Sequence, residues 1–141
     1  MVFQIKEFES FQEIEEALDK EISNTKSRLG KSLQRLDEIR SLAEKTKRIR
    51  QVVSRLAGKK AVEESSSEVS VDGFSVILDA NPLDELTALE TVVRSHQEFL
   101  MSLQKTREGL KALEELGDTD GMTFLVVENK GVPEKILLKI A

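Results

Sequence analysis

The stretch KTKRIRQVVSRLAGKK, residues 45–60, carries seven cations (Lys45, Lys47, Arg48, Arg50, Arg55, Lys59 and Lys60) and no anion. A run of this kind is where phosphate or nucleic-acid chemistry would be sought, because clustered Lys and Arg side chains replace the counterions of a phosphate backbone. The formal charge of the whole chain is −5, so the residues outside the stretch carry −12. The aromatic side chains are six Phe and nothing else. Phe74 is the nearest to the basic run, which leaves few platforms on which bases could stack.

The remaining candidates for chemistry are thin. His96 is the single histidine, and no Glu-x-x-His or His-x-x-x-His spacing surrounds it to make a helical metal site. Cysteine is absent, which removes thiolate nucleophiles, disulfides and zinc–thiolate sites and fits a reducing, cytoplasmic setting. DTDG, residues 118–121, starts like a calcium loop, but its Gly stands fourth rather than sixth. Asn129 rather than a Glu occupies the twelfth position, so a turn is expected. No glycine-rich phosphate loop is present, and the carboxylates fall on solvated helix faces. The sequence therefore predicts a protein without catalytic residues, metal or cofactor.

The elements that would position these side chains read clearly. VFQIKEF, residues 2–8, is a short strand. Ser10 and Glu13 form a capping box that opens a helix. Its apolar residues recur in threes and fours from Phe11 through Ile14, Leu18, Ile22, Leu29, Leu33, Leu36, Ile39, Ala43, Ile49 and Val53 to about Ala57, and Gly58 stops it. VEESSSE, residues 62–68, is a polar linker. In VSVDGFSVIL, Asp72-Gly73 marks a hairpin whose two turn residues take positive φ. It pairs Val71 with Phe74 and Val69 with Val76, so that Val69, Val71, Phe74, Val76 and Leu78 share one face. Asn81 and Pro82 start a second helix with a stripe from Leu86 past His96 to Leu116, closed by Gly117. MTFLVV and ILLKI flank ENKGVP as a second hairpin, 122–128 with 134–140. The opening MVFQIKEFES has no charged leader followed by an apolar run, and no stretch approaches the roughly 20 apolar residues of a membrane span.

Folding the two helices back with Ala57 beside Pro82 makes facing residue numbers sum to about 139. Arg55 then faces Asp84 and Glu85, Lys105 and Arg107 come near Ser32–Leu36 and Asp37, and Phe11–Ile22 overhangs. Lys45, Arg48, Arg55 and Lys59 flank the Ile49/Val53/Leu56 seam, where charges select partner and register. The expectation is a single elongated α+β domain, 1–141. It has an antiparallel coiled-coil stalk (23–57 and 82–117), a linker and hairpin at the tip (58–81), and a three-stranded sheet plus helix at the foot (1–22 and 118–141).

The helix–hairpin–helix order around residues 10–117 resembles a prefoldin-type subunit, in which hairpins of several chains close into a β-barrel. The resemblance implies a holdase for unfolded proteins. An N-terminal strand and a C-terminal hairpin depart from that pattern. The reading that follows from the residues themselves is a non-catalytic scaffold or assembly protein. It homo-oligomerises, as a dimer first, through Val69, Val71, Phe74, Val76 and Leu78 of one hairpin and Leu125, Val127 and Leu137 of the other, and engages a protein partner. A nucleic-acid-associated factor using residues 45–60 is the alternative beside the holdase.

Overall fold

The computed structural model describes residues 2–57, 68–78 and 80–140. The fold is mixed α+β, with two helices, a three-stranded sheet and a two-stranded sheet. In chain order, strand β1 (Phe3–Phe8) leads into helix α1 (Phe11–Ala57); β2 (Glu68–Val71) and β3 (Phe74–Ile77) form a hairpin; helix α2 (Pro82–Leu110) continues as a 3-10 segment (Lys111–Leu116); β4 (Met122–Asn129) and β5 (Val132–Ile140) follow. The chain forms two compact units, Met1–Leu29 with Ser95–Ala141, and Gly30–Arg94. Gly58 as a helix stop, Lys59, Lys60 and linker residues 62–67 lie outside the described residues.

Local chemistry accounts for the element ends. At the start of α1 the Glu13 amide donates to Ser10 Oγ at 3.2 Å, and the Glu13 carboxylate accepts from the Glu9 amide at 3.0 Å, satisfying donors that the first turn leaves open. Asn81 Oδ1 accepts from the amides of Leu83 and Asp84 at 2.8 and 3.2 Å, and Asp84 returns an acceptor to the Asn81 amide at 3.0 Å. The second helix does not stay α-helical to Leu116: its last six residues tighten into 3-10 geometry before Gly117, which has φ +71°. α1 runs unbroken through the weak helix formers Ser23, Asn24, Thr25, Ser27 and Gly30. Thr25, fully buried, donates its hydroxyl to the Glu21 carbonyl at 2.7 Å, which removes the cost of an unpaired buried polar group.

In the first unit the sheet order is β1-β4-β5, antiparallel throughout. The β4–β5 turn is Lys130-Gly131, both at positive φ (53° and 83°), the pattern of a tight mirror-image hairpin turn. The strands are therefore longer than the expected 122–128 and 134–140. A register shift at Val127/Glu128 absorbs an extra residue on β5. Alternation along β4 buries Phe124, Val126 and Glu128 on one face. Phe124 and Val126 join Ile14 and Leu18 of α1 and Leu103 and Leu110 of α2 in the core, with Phe8, Phe11, Phe99 and Ile136 around it. Phe11–Ile22 is thus packed in this core, and the expected overhang there does not occur.

Ion pairs give the helix register in each unit. In the first, Arg107 reaches Glu15 at 2.8 Å and Asp19 at 2.9 Å, which gives sums of 122 and 126. In the second, Arg35 reaches Glu85 at 2.8 Å, a sum of 120. Both differ from the 139 expected when the helix ends are set level. Glu85 faces Arg35 rather than Arg55, and Arg107 lies with Glu15 and Asp19 rather than with Asp37, which pairs with Arg40 at 3.8 Å. In the second unit Leu36 and Ala43 of α1 and Val93 of α2 are the buried apolar residues. Ile49, Val53 and Leu56 of the expected seam are exposed. The β2–β3 hairpin has the expected register, Val71 with Phe74 and Val69 with Val76. Its turn differs: Gly73 has φ +87°, whereas Asp72 is not in the positive-φ region.

Candidate functional site

The features that could engage another molecule are surfaces. On the three-stranded sheet, side chains between the buried positions of β4 point away from the core. Pairing sets them in rows: Glu7, Leu125 and Leu137; Ile5, Val127 and Lys135; Phe3, Asn129 and Val132. Leu125 and Val127, flanked on both sides in the central strand, are half-buried, while Phe3, Ile5 and Leu137 are 54, 65 and 48% exposed. Five apolar side chains therefore adjoin on one outward face, a patch of the kind that marks an interaction surface. Sequence reasoning had Leu125, Val127 and Leu137 but not Phe3 and Ile5. The signal was in VFQIKEF, where Phe3 and Ile5 stand two apart and so share a strand face.

In the second unit, Val69, Val71, Phe74, Val76 and Leu78 are all exposed, at 37–62%. Pairing sets Val69 against Val76 and Val71 against Phe74, as a greasy face requires, and a two-stranded hairpin has too little area to cover itself. Lys45, Lys47, Arg48 and Arg55 are exposed along α1 and Arg50 is half-buried. None of these five cations makes an ion pair among the described residues. Of the two carboxylates in the first turn of α2, Glu85 pairs with Arg35 rather than with one of these five.

The first unit also holds a polar pocket of about 210 Å³ between α1 and the inner face of β1 and β4. Lys6 reaches the largely buried Glu128 at 3.3 Å at this pocket. Glu21 on its α1 wall is held by Arg28 at 3.2 Å. Both carboxylates at this pocket are thus ion-paired with a neighbouring cation. Arg107 donates Nε to Asp19 and Nη2 to Glu15; Nη1 is buried with no partner. The hydrogen bond to Asp19, and behind it the charges of Asp19 and Glu15, hold the guanidinium above its ordinary pKa against an opposing effect of burial. Arg107 is a permanent cation fixing the helix register.

His96 is half-buried on α2, and no cluster of three metal-ligating side chains occurs among the described residues. DTDG folds as a turn: the Asp120 amide donates to Asp118 Oδ1 at 2.9 Å, the Met122 amide to the Thr119 carbonyl at 3.1 Å, and Gly121 has φ +80°. Among the described residues no helix is long and apolar enough to cross a membrane. Comparisons of the chain with protein-family models, with curated proteins and with solved structures find no match.

Proposed function

We propose that this protein is a non-catalytic assembly protein that self-associates through β-structure and presents helical surface to a protein partner. The observation that carries the reading is the outward face of β1-β4-β5. Phe3, Ile5, Leu125, Val127 and Leu137 adjoin there, on the side opposite the core. Burying a large apolar side chain is worth about 1.5–3 kcal/mol, so five of them can offset the several kcal/mol that association costs. A two-fold pair of sheets is the simplest closed solution. The exposed face of β2–β3 offers a second surface of the same kind. The finer architecture belongs to the proposal as well: α1 and α2 act as an antiparallel coiled coil, supported by the Arg35–Glu85 and Arg107–Glu15/Asp19 pairs that cross between them.

Sedimentation velocity at tens of micromolar tests the reading. The unmodified chain is expected as a dimer or larger, and Ile5→Lys with Leu137→Lys, both at exposed positions, as a folded monomer. A monomeric unmodified chain overturns it.

A further inference from the structure

The cationic end of α1 has a second order within it. Leu42, Ile49 and Leu56 stand seven residues apart, with Val52 at the intervening position and Val53 beside it. All five are 48–82% exposed. In heptad terms Leu42, Ile49 and Leu56 are a, Lys45 and Val52 are d, and Arg48 and Arg55 are both g, the positions whose charges choose a partner. This seam is not the one that faces α2. Leu36 and Ala43 are the buried pair, also seven apart, and they run one position later in the repeat. One position is about 100° of rotation around the helix.

We infer that residues 42–56 of α1 are a docking seam for an acidic amphipathic helix of another polypeptide. Leu42, Ile49, Val52 and Leu56 supply the buried stripe, and Arg48 and Arg55, which have no ion pair among the described residues, supply the charge selection. A second copy of the same seam does not fit. An antiparallel self-pair sets the g arginines against each other, and a parallel one sets Arg48 against Val53. Nor does a phosphate backbone need a continuous stripe of Leu, Ile and Val. The inference uses α1 rather than the strands, so it stands or falls separately from self-association.

The probe is a synthetic three-heptad helix with Leu at a and d and Glu at e and g, titrated by fluorescence anisotropy onto the full chain. Its counterpart carries Lys at e and g. The acidic helix is expected to bind at least about tenfold tighter than the basic one. Arg48→Glu with Arg55→Glu should reverse that order. Ile49→Ser with Leu56→Ser should weaken the acidic helix by about tenfold or more with all cations in place. These positions are exposed, so circular dichroism and sedimentation of the variants should match the unmodified chain. Equal affinity for the two helices overturns the inference. So does binding that survives Ile49→Ser with Leu56→Ser, since that is charge alone. Binding of a DNA duplex, or of phosphatidylcholine–phosphatidylglycerol vesicles, without binding of the acidic helix also overturns it and names the anion instead.

Discussion

Arg107 ties α1 to α2 in the first unit, and its removal has a calculable consequence. Its side chain is about one quarter exposed, like that of Glu15, whereas Asp19 is more than half exposed. An exposed pair of the Asp19 kind is worth about 0.5 kcal/mol, and the less exposed pair with Glu15 about 1 kcal/mol. Against this stands Nη1, buried without a partner, an orphaned donor that costs about 1 kcal/mol. Arg107→Met keeps the apolar stem and removes the charge and the orphan together. The net loss should therefore be below about 1 kcal/mol, and a single variant cannot separate its parts. A double-mutant cycle can. Urea unfolding of Arg107→Met, Glu15→Gln, Asp19→Asn and the doubles should give a coupling of about 1 kcal/mol with Glu15 and about 0.5 kcal/mol with Asp19, both reduced by added salt. The same cycle with Asp37→Asn should give none. The raised pKa of folded Arg107 means that its contribution is fully present below the ordinary arginine value and is lost only as pH rises through the folded value, above the assay range. The couplings should therefore be flat from neutral to mildly alkaline pH as far as Arg107 is concerned. A coupling with Asp37 equal to that with Asp19 would refute the register.

Two further outcomes follow from the element ends. Asn81→Ala removes an acceptor used by two amides at the start of α2 and should cost about 1 kcal/mol by urea unfolding. Gly131→Ala places a methyl group 3.4 Å from Phe99 Cζ at a φ of +83°; the left-handed backbone alone should cost about 1–2 kcal/mol, and a cost near zero would remove that turn geometry.

The parts of the fold written in local chemistry were legible in the chain. The capping box at Ser10 and Glu13, the steps of three and four, Asp72-Gly73, and Asn81-Pro82 each act over a few residues, so the bounds of α1 and the register of β2–β3 follow from them. Helix register was not legible. Solvated ion pairs differ by tenths of a kcal/mol between registers, and the assumption that α1 and α2 begin level at their connection was worth more than ten residues of error. Choosing Ile49, Val53 and Leu56 as the seam followed hydrophobicity. Leu36 and Ala43, members of the same expected stripe, are buried, but its continuation through Ile49, Val53 and Leu56 is exposed. The proposed interaction surface was half legible: Leu125, Val127 and Leu137 stood out in strongly apolar runs, whereas Phe3 and Ile5 alternate with Gln4 and Lys6. Their meaning emerges only when β1 is known to pair with β4.

Because the chain has no cysteine, Glu7→Cys provides one attachment point for a spin label, on the outward row with Leu125 and Leu137. Intermolecular distances by double electron–electron resonance are the most direct test of self-association through that face. Two sheets stacked face to face lie about 10 Å apart. The account therefore predicts a defined, short label-to-label distance in the unmodified background, which disappears with Leu137→Lys. A featureless background decay, or a long and broad distribution unaffected by Leu137→Lys, would contradict it.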